Sequence, residues 1–170
     1  MELNIGCFGA IRPLKNQLIQ AMAAIKFVDD LGGEVHFHVN AGRVEQKGQA
    51  VLRNLEALFD NTGHFLVEHP WMDHHDFLKV VGEMDLCMQV SFSETFNIVA
   101  ADSIACGIPT VVSREIPWAK IGFADPTDME SIAKALRNAW RFRRTNVFMN
   151  QIGLAAYTKK ARQIWMRPFP

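Results

Sequence analysis

A chain of 170 residues, of which 49% are hydrophobic and 21% are charged, has the composition of one soluble globular domain with a full core. Its 18 basic and 18 acidic residues give a formal net charge of zero, which argues against a general nucleic-acid-binding protein because such proteins carry a basic excess. No apolar run approaches the roughly 18 residues that a transmembrane helix needs, so no membrane span is expected.

Cysteine usage and the N-terminal residues bear on the compartment. Cys7, Cys87 and Cys106 each sit in an apolar run and lack metal-type spacing, so buried free thiols are expected. Free thiols fit a reducing compartment. The first residues show no secretory-signal pattern. We therefore expect a cytoplasmic protein.

Short apolar runs alternate with segments of helical periodicity along the whole chain. In chain order the pattern predicts a strand at 3–8, a helix at 16–31, a strand at 35–39, a helix at 49–59, a strand at 64–67, a helix at 73–81, a strand at 86–90, a helix at 98–106, a strand at 110–113, a weak strand near 121–124, and helices at 128–143 and 147–165. Asp73 and Asp128 are predicted N-caps, and Gly107 is predicted to end its helix.

This alternation predicts a single Rossmann-like α/β domain over residues 1–170, in which a parallel sheet is flanked by helices. The last helix is expected to pack back on the domain or to reach a partner domain. In such a sheet, ligands bind at the carboxyl ends of the strands, where the strand order reverses. With the order 3-2-1-4-5, the loops after the first and fourth strands flank that point.

The loop after the first strand, 9–16, contains two cations at the entry to a helix, Arg12 and Lys15. Backbone N–H groups at a helix N-terminus attract anions, and basic side chains add charge-assisted hydrogen bonds. The pattern favours a diphosphate site. The alternative is that both cations lie on an ordinary surface loop.

The loop after the fourth strand, 91–97, carries Glu94, and Asp102 follows eight residues later in the next helix. Carboxylates in this position can accept hydrogen bonds from sugar or ribose hydroxyls, while the amides near Asn97 and Ile98 can face a phosphate. The alternative gives Glu94 a capping role and leaves Asp102 on the helix surface.

Taken together, the segment 93–113, SETFNIVAADSIACGIPTVVS, resembles the E-x7-E segment of retaining GT-B glycosyltransferases of group 1. The Lys15-Asn16 pair resembles the phosphate-binding segment of the same family. The resemblance covers about residues 3–140 and implies the C-terminal, donor-binding half of a GT-B fold. Three positions depart from the family pattern: Asp102 replaces a Glu, Asn97 a common Gly, and Ala10 an Arg.

The resemblance implies a nucleoside-diphosphate sugar, with UDP or GDP, as the donor substrate for retaining glycosyl transfer. It implies catalytic roles for Glu94, Lys15 and Arg12, and it implies donor-binding roles for Asp102, Phe96, Asn97, Ile98 and Trp71. Trp71 would stack on the base, although a tryptophan of the core or of an interface fits the sequence too. No metal ion and no further cofactor are expected at this site, because cations and a helix terminus would neutralise the leaving group.

The resembled enzymes have a second, acceptor-binding domain that this chain does not match. Activity of the isolated chain is therefore an open question, and a separate acceptor domain or a second chain is the expected partner. A non-catalytic nucleotide or nucleotide-sugar binding module is the alternative function. A dinucleotide-dependent enzyme is a third hypothesis, but the G-x-G-x-x-G fingerprint of such enzymes is missing.

Two groups of histidines raise the question of a metal site. His74 and His75 lie between Asp73 and Asp76, but adjacent residues on a helix point in different directions. His36 and His38 share one side of a strand without a third ligand nearby in sequence, so a packed histidine pair is expected there.

Overall fold

Five parallel strands form the central sheet of the computed structural model, which describes residues 1–166. The strands are β1 Glu2–Ile11, β2 Glu34–Val44, β3 Phe65–Glu68, β4 Leu86–Gln89 and β5 Thr110–Val112. Their order is β3-β2-β1-β4-β5. This confirms the predicted α/β class and the predicted adjacency of the first and fourth strands. The predicted domain limit, 1–170, includes residues 167–170, which lie outside the described residues.

Within the described residues six α-helices cover the sheet, namely α1 Gln17–Asp29, α2 Gln49–Asp60, α3 His74–Gly82, α4 Ile98–Ala105, α5 Met129–Arg141 and α6 Arg143–Trp165. Helices α1, α2 and α5 contribute to the main core cluster on one face, and α3 and α4 pack on the other. Within residues 1–166, none of the helices combines the length and the apolar character that a membrane-spanning helix requires.

Several predicted helix ends are confirmed by hydrogen bonds. The Asp73 carboxylate accepts from the amide of Asp76 at 2.9 Å, and the Asp128 carboxylate accepts from the amide of Glu130 at 2.9 Å. Gly107 follows α4 with a φ of 80°, a left-handed conformation that glycine adopts without strain. Local sequence chemistry therefore sets these boundaries.

The structure differs from the predicted boundaries at several positions. β2 continues to Val44, where the sequence predicts its end at residue 39, because it pairs with β1 again at Asn40 and Val44. β1 continues through residues 9–11, which the sequence predicts as loop, because a register shift after Gly6 lets the strand pair with β2 again at Ala10. The last two helices divide at Phe142, whose φ of −115° and ψ of 40° are not helical, so α6 begins at Arg143 and not near residue 147. The weak sixth strand is reduced to a single bridge between Val112 and Phe123.

The cysteines are free, as predicted. Cys7 and Cys87 are fully buried, and burial raises the pKa of each thiol to about 12. Both thiols therefore stay protonated and inert at neutral pH. Cys106 is only half-buried, which corrects the expectation of burial for that residue.

The two histidines of β2 have separate partners, so the predicted packed pair is wrong. The His38 ring stacks on His69 with 2.9 Å between Nδ1 and Nε2, and its own Nε2 lies 3.1 Å from Oδ1 of Asn4. Burial, with His69 nearby, lowers the pKa of His38 to about 4, so this ring is neutral at pH 7. His36 instead faces two carboxylates at the amino end of the sheet.

Two asparagines fix α6 to the edge of the sheet. Asn146 accepts from the N–H of Thr110 at 2.9 Å and donates to its C=O at 3.2 Å, in the way that a neighbouring strand would. Asn150 accepts from the N–H of Lys120 at 2.8 Å and donates to the C=O of Ile121 at 3.2 Å. On the outer side of β5, Asn146 therefore satisfies the backbone groups of Thr110, and the backbone of Gly122 and Ala124 satisfies those of Val112.

Replacing Asn146 with alanine leaves two buried backbone groups of Thr110 without these partners, at a cost of about 1–3 kcal/mol each. We expect Asn146→Ala to lower the free energy of unfolding by about 2–5 kcal/mol in urea denaturation. Asn138→Ala, on the exposed side of α5, is the matched control and should change it by less than about 0.5 kcal/mol. Equal losses in the two variants would contradict this role for Asn146.

Candidate functional site

Two buried amide side chains, Asn16 and Gln20, join the loop after β1 to the end of β4. Asn16 donates to the C=O of Val90 at 3.1 Å and to the C=O of Pro126 at 2.8 Å. Gln20 accepts from the N–H of Val90 at 2.8 Å and donates to the C=O of Lys15 at 2.8 Å. We call this pair the amide clamp. It holds the backbone of Lys15 against the loop that carries Glu94.

Lys15 and Glu94 form an ion pair across the crevice between those two loops. Their side chains are only 12% and 6% exposed. The structure therefore brings together two of the residues that the sequence predicts for one site, although they lie 79 positions apart. A largely buried ammonium and carboxylate beside a helix N-terminus can contact both the charged and the hydroxyl-bearing parts of a ligand.

Asn97 begins α4 in a left-handed conformation, with a φ of 55°. Its side chain accepts from the amide of Ala100 at 2.9 Å and donates to Gln89 at 3.0 Å, and Gln89 donates to the C=O of Phe8 at 2.8 Å. Asparagine tolerates this conformation better than most residues do, which explains how it can stand where the family has glycine. The fold uses its side chain, so only its backbone can serve a ligand. Ile98, the next residue, has a side chain that is 64% exposed.

Asp102 faces a residue that the sequence analysis did not select for this site. His74, at the start of α3, places its Nε2 3.1 Å from Oδ2 of Asp102, whose side chain is 17% exposed. The pairing depends on the packing of α3 against α4. Nothing in the spacing of these residues indicates it, because they lie 28 positions apart on different helices.

The side chain of Arg12 pairs with Glu45 and not with Glu94. One terminal nitrogen of its guanidinium is 4.0 Å from Oε2 of Glu45, and the other oxygen of this carboxylate, Oε1, accepts from Nε of Arg43 at 2.6 Å. The Nε of Arg12 is buried and has no hydrogen-bond partner among the described residues. The structure thus places Arg12 beside the residues that follow β2.

Trp71 follows β3 and is 75% exposed, so it is not a core residue. It lines a cavity of about 150 Å³ at the carboxyl ends of β1 and β2. Gly42 makes this position possible, because a Cβ there would lie 2.5 Å from the amide nitrogen of Trp71. The remaining lining residues are Gly9, Ala10, Asn40, Arg43, Met72, Phe77 and Val99. The cavity is large enough for a planar ring beside the indole.

Phe96 points away from the crevice. Its ring packs against Trp118 and Tyr157, with centroid distances of 6.2 and 5.7 Å. Its C=O accepts from the Trp118 indole at 2.6 Å. The Phe96 side chain therefore anchors the loop after β4 to Trp118 and to Tyr157 of α6.

This strand order, together with a cation and an acid at the β1–β4 switch point, defines a Rossmann-like α/β domain whose ligand crevice lies between the loops after β1 and β4. The chain belongs to the family described as Family 4 Glycosyltransferase in conflict systems, whose model matches residues 2–140.

Similar proteins agree with this membership. The chain is 34% identical over 114 residues to D-inositol 3-phosphate glycosyltransferase of Mycobacterium sp. (strain KMS), an alignment that covers 66% of this chain and 25% of that protein. The chain thus spans about a quarter of the length of the curated relatives it matches.

Solved structures share the fold. The C-terminal domain of the glycosyl transferase group 1 family protein LpcC from Francisella tularensis superposes with a TM-score of 0.75 at 17% identity, over 94% of this chain and 86% of that one. A trehalose-6-phosphate structure from E. coli bound with UDP-2-fluoro glucose has a TM-score of 0.75 at 16% identity, over 92% of this chain and 40% of that one. This chain therefore corresponds to one half of the two-domain fold.

The amide clamp can be tested without disturbing the backbone. Asn16 has a φ of 60°, so Asn16→Gly keeps a permitted conformation and removes only the side-chain hydrogen bonds. We expect it to lower the free energy of unfolding by about 1–3 kcal/mol. Lys47→Gly is the matched control, since Lys47 is exposed and has a φ of 67°. Equal free energies of unfolding for the two variants in chemical denaturation would contradict this role of Asn16.

Proposed function

We propose that this domain binds a nucleoside-diphosphate sugar as the donor for retaining glycosyl transfer. The observation that carries the proposal is the Lys15–Glu94 pair at the switch point, beside the N-terminus of α4. Lys15 supplies positive charge where a diphosphate would leave, and the amides of Asn97 and Ile98 supply hydrogen-bond donors to a phosphate. Family membership supports the same reaction class.

Each remaining part of the donor has a candidate contact in this proposal. Glu94 accepts hydrogen bonds from sugar hydroxyls, and Phe96 contributes through its backbone. Asp102 accepts from the ribose while His74 holds its carboxylate in position. Trp71 stacks on the base at the mouth of the 150 Å³ cavity. Arg12 turns from Glu45 toward the diphosphate, where its buried Nε gains a partner.

The pairing of Lys15 with Glu94 gives the proposal a specific consequence. In the free protein Glu94 already neutralises the ammonium of Lys15, so a bare diphosphate must compete with this carboxylate. An intact nucleotide-sugar offers hydroxyl donors to Glu94 and phosphate oxygens to Lys15 at the same time. Glu94 therefore favours the intact donor over the product nucleotide.

A separate acceptor-binding domain, or a second chain, completes the enzyme in this proposal. The second candidate function is a non-catalytic nucleotide or nucleotide-sugar binding module. It is favoured by the departures from the family pattern at Asp102 and Ala10. Assays of transfer and donor hydrolysis, with and without candidate acceptor domains, distinguish the two functions.

Lys15→Ala is expected to weaken binding of both UDP and UDP-glucose by about 10- to 150-fold, which corresponds to a charge-assisted hydrogen bond of about 1.5–3 kcal/mol. GDP and GDP-mannose are titrated in parallel because the proposed donor carries either uracil or guanine. Lys134→Ala, an exposed lysine of α5, is the control and should leave both affinities unchanged. Calorimetry that finds the two variants alike would refute the role of Lys15.

The Glu94→Gln variant should change the affinities for the bare nucleoside diphosphate and for the nucleotide-sugar in different ways. Affinity for the bare nucleoside diphosphate should stay constant or rise, because a neutral amide no longer competes for Lys15. Affinity for the nucleotide-sugar should fall, because the sugar hydroxyls lose an ionised acceptor. Equal losses for both ligands, or none, would mean that Glu94 only stabilises the loop.

A further inference from the structure

Three ligand-type side chains meet at the amino end of β1 and β2, at the edge of the sheet opposite to the crevice. Glu2 opens β1 and Glu34 opens β2, and the two residues are direct partners in the parallel register. His36 lies two positions after Glu34, so its side chain stands on the same face of the sheet. The backbone pairing of the two strands therefore places all three side chains together.

One imidazole nitrogen serves both carboxylates. Nε2 of His36 is 3.1 Å from Oε1 of Glu34 and 3.5 Å from Oε1 of Glu2. Ligand atoms from the three side chains all lie within 4.8 Å of one another. An imidazole nitrogen carries at most one proton, so Nε2 can donate at most one N–H to the two acids.

Like charges at directly opposed positions of neighbouring strands destabilise a sheet. A divalent cation between the three ligand atoms would neutralise both carboxylates and would use the lone pair of a neutral imidazole. The cluster thus has an electrostatic reason to take up a metal ion.

The cluster is ordered on one side and open on the other. The His36 ring packs against Phe65 of β3, with 4.9 Å between ring centroids, which restricts the orientation of its nitrogen. The side chains of Glu34 and Glu2 are 43% and 59% exposed, so an ion can enter from solvent and keep a water molecule as a further ligand.

We propose that Glu2, Glu34 and His36 form a zinc site, with water as the fourth ligand. One imidazole nitrogen and carboxylate oxygens are ligands that Zn²⁺ binds in a tetrahedral arrangement. Imidazole disfavours Mg²⁺ and Ca²⁺, which prefer ligand sets made entirely of oxygen. The ion would join β1 to β2 at the end of the sheet remote from Lys15 and Glu94. The site is thus independent of the proposed glycosyl transfer.

Zinc titration followed by calorimetry and by thermal unfolding tests the site. The wild-type protein should bind one equivalent of Zn²⁺ and unfold at a higher temperature when zinc is present. Loss of an outer-shell partner alone typically costs about 10- to 100-fold in metal affinity, so His36→Ala should cost at least as much. Glu34→Gln and Glu2→Gln should each weaken binding as well.

His75→Ala and His74→Ala are the controls, because both residues are exposed histidines of α3 outside the cluster. They should leave zinc binding unchanged. A second measurement needs no variant: substoichiometric Co²⁺ should broaden the NMR signals of the His36 ring before those of any other histidine. Absence of zinc binding, wild-type affinity in His36→Ala, or earlier broadening at another histidine would overturn the proposal.

Discussion

The hydrogen bonds of Asn16 and Gln20 to the end of β4 are the constraint on which the crevice depends. Adjacency of β1 and β4 brings two loops to one edge of the sheet, but adjacency alone does not fix where Lys15 lies. Gln20 binds the carbonyl of Lys15 and the amide of Val90 through the two ends of one side chain. Because these groups are buried, breaking the contacts leaves polar atoms unpaired, and the loops are held at a definite distance.

The acids of the crevice are already engaged in the free protein. Glu94 pairs with Lys15, and Asp102 pairs with His74. A carboxylate held by a partner from another element keeps one orientation, which lowers the cost of ordering it when a ligand binds. The side chain of Asp102 is shorter than the glutamate of the family pattern. In this structure an imidazole from α3, that of His74, contacts its carboxylate. Both carboxylates of the proposed site are thus held in one orientation before a ligand binds.

The sequence predicts the features that depend on local chemistry and on topology. Alternating strands and helices, the caps at Asp73 and Asp128, and the meeting of Lys15 with Glu94 all follow from periodicity, capping preferences and the switch-point rule. The pairings of Arg12 with Glu45, of His74 with Asp102, and of His36 with Glu2 do not. They depend on strand register and on the contact of one helix with another, which bring together residues that are distant in the chain.

The proposed function requires that a nucleotide-sugar binds where the loops after β1 and β4 meet. Titration of the isotopically labelled domain with UDP-glucose and with GDP-mannose, followed by amide chemical shifts, locates this binding site. One of these donors should shift the amides of Lys15, Asn97 and Ile98 together with the indole signal of Trp71. Shifts confined to the amino ends of the strands, or to α6, would contradict it.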